Sequence, residues 1–278
     1  MTNNVLTDDQ IQQYRRDGFV APVQVFSKEQ AAEYAAMLEA SEHKYPDQLS
    51  ATNRNNPHLV LPFLDEIVHH PVVLGAVEDL IGPAFHLWGS VLFIKDPGSE
   101  HFVSWHQDAT YMGIEPHDFV TPWIALTESN LETGCMSMIP GSHADNIQSH
   151  EDTYGEDNIL TRGQRVNNVD ESTAVHLILE PGQMSLHHAR VVHGSQPNRS
   201  RSGRRIGYAV QGYMPAHSRQ VIGENYWTRI RGEFPSEDFI ELPRPDSAMA
   251  PGDIETREMV NSNWTRILYH GAQKTREY

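Results

Sequence analysis

The chain has 278 residues, a formal charge of −16 at neutral pH and 38% hydrophobic residues, which is enough for one large domain spanning 1–278 with a buried core. Its acidity opposes non-specific binding to nucleic acid or to an anionic membrane, and no apolar run approaches the roughly 18–20 residues of a membrane span. One cysteine, Cys135, excludes an intrachain disulfide and a zinc-finger site; it reads as a small buried hydrophobe. The N-terminal stretch lacks both the basic and the apolar region of a signal peptide, so the expected location is the cytoplasm.

Thr7 is a plausible N-cap for a helix running to about Asp17 and stopped by Gly18. Phe19 to Phe26 reads as a strand, placed at a sheet edge by Pro22. Ser27-Lys28-Glu29-Gln30 is a capping box for a helix through about Ser41. Leu59 to Ile81 carries apolar residues at helical spacing, interrupted near Pro71. Strands follow at Phe85–Ile94, Phe102–Tyr111, Val120–Leu126, Met136–Ile139, Val175–Leu179, Met184–His188 and Arg205–Tyr213, separated by Pro-Gly turns. Residues 144–173 form a polar connection longer than usual, expected to be disordered or functional, with a cover over the active site as one use. Beyond residue 215 the only periodic stretch is a helix over Asp253–Val260. Residues 216–278 are open to three uses: a lid, a wrap around the barrel or a homodimer contact. Helices followed by many short strands suggest a mainly β fold with α, a double-sheet jelly roll flanked by N-terminal helices, with its core at about 85–215.

Chemistry concentrates in Ser104–Gly113. In extended backbone, residues i and i+2 share a face, so His106 and Asp108 present an imidazole and a carboxylate to one point while Gln107 turns away. Two histidines and a carboxylate on one face of an octahedral metal suit non-haem Fe(II) and leave open positions. The third ligand candidate is His193, with His143, His187 and His188 as rivals. His188 reads as a core histidine more than as a group near the site.

These pieces resemble the phytanoyl-CoA dioxygenase family of Fe(II)/2-oxoglutarate oxygenases. The matching residues are Tyr14–Val20, Trp105-His106-Gln107-Asp108, Trp123, Gly134-Cys135-Met136, Ile139–His143, and His193-Gly194-Ser195 through Arg204, covering about 7–215. The resemblance implies a cupin-like double-stranded β-helix. It implies His106, Asp108 and His193 as ligands of Fe(2+), with 2-oxoglutarate and O2 as co-substrates and ascorbate as support. Arg204, eleven residues after His193, would clamp the far carboxylate of 2-oxoglutarate through its planar guanidinium. Ser195 would add a hydroxyl, Trp123 would lie beside the co-substrate and Val91 would wall its pocket. With Arg204 facing the co-substrate, strand alternation points Arg205 the other way. The carboxylate at Asp108 implies hydroxylation in place of halogenation, with release of succinate and CO2.

For a substrate, Trp105, Gln107, Tyr111 and Asn198 are the candidate contacts. Trp105, Tyr111, Trp88 and Tyr213 could face a quaternary ammonium, and Asn198, Arg199 and Arg201 could meet a phosphonate or carboxylate. The expected substrate is a small polar metabolite, with amines, quaternary amines and aminophosphonates as examples. An acyl-CoA or natural-product hydroxylase, a non-catalytic metal or metabolite binder, and a zinc hydrolase are the alternatives.

Overall fold

The structure is a computed structural model describing residues 4–233 and 238–276. Helices α1 (Asp8–Asp17), α2 (Lys28–Lys44), α3 (Pro62–Val68) and α4 (Pro71–Ile81) lie on the N-terminal side, and α5 (Pro251–Leu268) lies near the C-terminal end. Thr7 and Ser27 cap α1 and α2 in reciprocal capping boxes with Gln10 and Gln30. Gly18, at φ 83°, ends α1 in the left-handed conformation that glycine adopts most readily. The helical stretch expected over 59–81 is two helices, each opened by a proline.

The strands are β1 (Phe19–Gln24), β2 (Phe85–Lys95), β3 (Val103–His106), β4 (Ile114–Glu115), β5 (Val120–Ala125), β6 (Met136–Met138), β7 (His150–Asp152), β8 (Gln164–Val166), β9 (Val175–His176), β10 (Gln183–His188), β11 (His193–Ser195), β12 (Arg205–Pro215), β13 (Arg219–Gln220), β14 (Tyr226–Arg231) and β15 (Ile240–Glu241). A seven-stranded sheet runs β1-β10-β5-β12-β2-β14-β15, and a four-stranded sheet runs β3-β11-β6-β9. Side chains from both sheets line one cavity, so the molecule is an open double-stranded β-helix with helices packed outside it.

Alternation along the strands sorts the large sheet into two faces. Leu92, Ile94, Ile124, Leu186, Ile206 and Tyr208 pack outward against Leu38, Leu64 and Val77 of the helices in the main apolar core. The opposite face carries Phe93 and Lys95 on β2, Trp123 on β5, His187 on β10 and Arg205 on β12.

Two regions that the sequence leaves open take definite form. Residues 144–173 contain the β7–β8 hairpin, fastened by Arg162 to Asp152 (2.9 Å) and to the carbonyl of Leu268 (3.3 Å), and by the Tyr269 hydroxyl to the carbonyl of Thr161 (3.1 Å). The segment beyond 215 wraps the barrel: β14 pairs with β2, Trp264 of α5 stacks on Trp88 at 3.9 Å, and buried Arg257 donates to the carbonyls of Gln48, Asn53 and Asn55. Among the described residues, no helix is long and apolar enough to cross a membrane.

Candidate metal centre and its cavity

β3 delivers His106 at its last residue. Gln107 stays extended (φ −122°, ψ 126°), and Asp108 opens a short 3-10 turn. His106 and Asp108 therefore share a side although the strand has ended. β11 pairs antiparallel with β3 so that His193 lies directly opposite His106. The ring centroids of the two histidines are 4.1 Å apart. Asp108 Oδ1 lies 3.4 Å from His106 Nε2 and 3.9 Å from His193 Nε2, and one ligand atom from each of the three residues falls within 4.8 Å of the others.

The hydrogen bonds behind the rings suit a metal. His106 Nδ1 donates to the carbonyls of Ser104 (2.9 Å) and His193 (3.0 Å), and His193 Nδ1 donates to the carbonyl of Val191 (3.0 Å). With Nδ1 holding the proton, each Nε2 presents a lone pair to the cluster, the arrangement usual for a metal-bound imidazole. Burial, then the positive charge His106 would carry, hold the His193 imidazole well below its ordinary pKa and keep it neutral. Burial pushes the Asp108 carboxyl up, but the imidazoles of His106, His187 and His193 gathered around it outweigh that, leaving the group ionised, well below the usual carboxylate range. Asp108 Oδ2 is buried without a hydrogen-bond partner. The donor set, its protonation and this orphaned oxygen fit a divalent cation.

The cavity around the cluster is lined on the large sheet by Phe93, Thr121, Trp123, His187, Arg205, Ala209 and Gln211, and on the small sheet by Val103, Met136, Gly194 and Ser195. Arg205 is 1% exposed. Its guanidinium lies 5.2 Å over the Trp123 ring, its Nη1 donates to the carbonyl of Phe93 at 3.4 Å, and its Nε and Nη2 have no partner. Burial draws its pKa down to about 10. Gly207 leaves room for Trp123: a Cβ there would lie 1.8 Å from the ring. Lys95 is directly opposite Arg205 in the sheet and fully buried. Its Nζ donates to Ser195 Oγ (2.6 Å), the Gln196 carbonyl (2.5 Å) and the Ser195 carbonyl (3.3 Å). No ion pair joins either cation to a carboxylate among the described residues. A buried guanidinium without an anion, beside a buried amine, is costly unless a ligand supplies the charge.

Arg204 requires correction. It precedes β12 and points away from the cavity, where it donates to Glu42 (2.7 and 3.0 Å) and to Asp96 (2.9 Å). Those bonds, with Glu42 foremost, raise its pKa. Arg205 is the first residue of the strand and turns inward. The loop between His193 and β12 fixes this parity: Asn198 Nδ2 donates to the carbonyls of Lys95 (2.9 Å) and Gly203 (2.7 Å), and its Oδ1 accepts from the Ser200 amide (3.0 Å). Asn198 therefore shapes that loop and does not line the cavity. Ser195 and Trp123 do line it.

The remaining predicted contacts fall elsewhere. Val91 faces Ala209 across the sheet but packs against the second apolar core around Trp88 and Trp264. Trp105 lines an adjoining groove with Ser104, Arg165 and Arg199, which shares Val103, Gly194 and Ser195 with the cavity. Gln107 clamps backbone, donating to the carbonyl of Arg190 (2.7 Å) and accepting from the Gln148 amide (2.8 Å). Tyr111 meets the edge of His150, with Arg162 5.1 Å over its ring. Trp88, Trp105, Tyr111 and Tyr213 do not line the cavity, so they make no aromatic cage there. His188 faces outward toward Tyr14 and His143, and burial lowers its pKa to about 3. The inward histidine is His187, and the alternation Met184, Leu186, His188 on the apolar side was the signal that could have found it.

Comparison with known proteins adds to this geometry. The phytanoyl-CoA dioxygenase family profile matches residues 14–206. The chain is 31% identical over 198 residues to a protein of Stutzerimonas stutzeri described as a probable alpha-ketoglutarate-dependent hypophosphite dioxygenase, covering 68% of each. It is 29% identical over 140 residues to the peroxisomal phytanoyl-CoA dioxygenase of Bos taurus, covering 49% of this chain and 42% of that one. Among solved structures, the apo form of the non-heme monooxygenase ThoJ superposes with a TM-score of 0.84 at 28% identity, covering 95% of this chain and 99% of that one.

Proposed function

Because the chain belongs to the phytanoyl-CoA dioxygenase family and is a non-haem Fe(II)- and 2-oxoglutarate-dependent dioxygenase, we propose that it hydroxylates a small polar molecule, releasing succinate and CO2 from the keto acid. The observation that carries the reading is the buried His106–Asp108–His193 cluster opening into a cavity with an unpaired guanidinium in its wall.

In this reading His106 and His193 hold Fe(II) through Nε2 and Asp108 holds it through its carboxylate, with Nδ1–H bonds to backbone carbonyls fixing both rings. Iron bound there with 2-oxoglutarate supplies the O2 chemistry; the protein orients and shields it. Arg205 takes the far carboxylate of 2-oxoglutarate through Nε and Nη2, the two donors left without partners. Lys95 holds Ser195 Oγ by donating to it, which frees the Ser195 proton to point at the same carboxylate. Trp123 and Phe93 keep that end dry, which strengthens the ion pair. A small substrate is supported by the hypophosphite-dioxygenase relative, aligned over 68% of both chains, whereas the phytanoyl-CoA enzyme aligns over about half of this one.

Protein purified without O2 and reloaded with Fe(II) should convert 2-oxoglutarate to succinate when O2 and ascorbate are added, and Asp108→Ala should abolish the conversion. Iron-independent turnover, or full turnover by Asp108→Ala, would overturn the reading.

A further inference from the structure

Part of the cavity wall is left unused by the keto acid. His187 on β10 pairs directly with Thr121 on β5, and Gln211 on neighbouring β12 completes the group, all three in the cavity wall. His187 is 2% exposed and neither of its ring nitrogens has a hydrogen-bond partner. Its Nε2 faces Asp108 Oδ2 at 3.5 Å. Thr121 Oγ1 accepts from the Gly212 amide at 3.3 Å, so its own proton is free to be given. Gln211 makes no side-chain hydrogen bond among the described residues. It lies six residues beyond Arg205 on the inward side of the strand, about 20 Å along the backbone. The two polar groups therefore occupy different ends of the cavity.

Buried polar groups without partners are unusual and call for an occupant. We propose that His187, Thr121 and Gln211 form the substrate subsite, and that it takes a compact oxyanion: a carboxylate, phosphinate or phosphonate no larger than a few heavy atoms. Each of the three can offer a hydrogen to an acceptor oxygen. Among the described residues, the wall has no carboxylate free to hold a cation. Its one acidic side chain, Asp108, is committed to the metal, and the Trp123 ring is already covered by Arg205. An amine would find neither a carboxylate to neutralise it nor an aromatic enclosure.

This inference rests on the dioxygenase reading, and the test separates the two. Enzyme loaded with Fe(II) and then 2-oxoglutarate in the absence of O2 is titrated in a calorimeter with hypophosphite, methylphosphonate and formate, and in parallel with methylammonium and tetramethylammonium. At least one oxyanion should bind and neither ammonium ion should. The near-isosteric Thr121→Val and the Gln211→Leu variant should each weaken the oxyanion by about tenfold, the loss expected for one hydrogen bond, and His187→Leu should do the same. Binding of an ammonium ion, failure of every oxyanion, or unchanged oxyanion affinity in all three variants would overturn the proposal. A wild-type protein that takes up no 2-oxoglutarate overturns the dioxygenase reading as well. Melting curves of the variants show whether each is folded, and Thr121→Val, which preserves shape, decides the outcome if another variant is not.

Discussion

The two faces of β12 perform opposite tasks with neighbouring residues. Outward, Ile206, Tyr208 and Val210 are fully buried against the helices, and the apolar surface they remove from water stabilises the fold. Inward, Arg205, Ala209 and Gln211 carry a charge, one small side chain and an amide, Gly207 leaves space for Trp123, and the charge lies desolvated with two donors unused. One face lowers the free energy of the empty protein; the other leaves part of it to be recovered when a ligand arrives. The same strand shows why the site is dry and preformed: its apolar side locks the backbone that aims its polar side.

Arg205→Leu should break this contrast most severely. Removing the guanidinium should weaken 2-oxoglutarate binding by about 30-fold or more, the change for about 2 kcal/mol lost on truncating one partner of a buried charge pair. The melting temperature without ligand should hold or rise, because an unpaired buried cation has been replaced by an apolar side chain. Anaerobic calorimetry and thermal melts measure the two effects separately. A variant that keeps its keto-acid affinity would move the carboxylate clamp elsewhere.

Lys95 sharpens the contrast through pH. Burial first, and the adjacent Arg205 charge second, push its ammonium down to about 6 from an ordinary value of 10.5. Across that window the folded protein binds fewer protons at this site than the unfolded chain, so this group makes stability rise with pH between about 6 and 10. Lys95→Met should flatten that part of the curve, read from melting temperature against pH. Parallel curves for the two proteins would show that Lys95 keeps its proton in the fold.

Much of this was legible in the chain. The capping boxes at Thr7 and Ser27 and the break at Pro71 are local signals, and each element formed where its own residues dictated. His106 and Asp108 share a side because two residues of extended backbone suffice, even though β3 stops at His106. Parity over longer distance was harder to read. Counting eleven residues from His193 pointed to Arg204, but the loop held by Asn198 and Ser200 starts the strand at Arg205. The apolar positions Ile206, Tyr208 and Val210 fix the inward set as Arg205, Gly207 and Ala209, so alternation was the better guide than spacing. β10 teaches the same lesson with Leu186 outward and His187 inward. The segment beyond 215 was opaque because its partners are remote: β14 pairs with β2, and Trp264 meets Trp88, more than a hundred residues earlier.

Arg204→Leu gives the smallest effect and completes the contrast between adjacent arginines. Its side chain is 24% exposed, and its partners Glu42 and Asp96 are 18% and 64% exposed. Solvent reaches this cluster only in part, so its loss should cost about 1 kcal/mol, the upper end for an exposed pair. Keto-acid affinity should stay within about twofold, since surface changes remote from a site contribute about 0.5 kcal/mol or less. The same calorimetric titration used for Arg205→Leu reads this directly. Loss of keto-acid binding in Arg204→Leu, with retention in Arg205→Leu, would mean that β12 enters the sheet one residue earlier in solution and that the inward and outward faces of its first turn are exchanged. Loss in both would place the cost in the loop that Asn198 organises, because the two side chains share only that backbone.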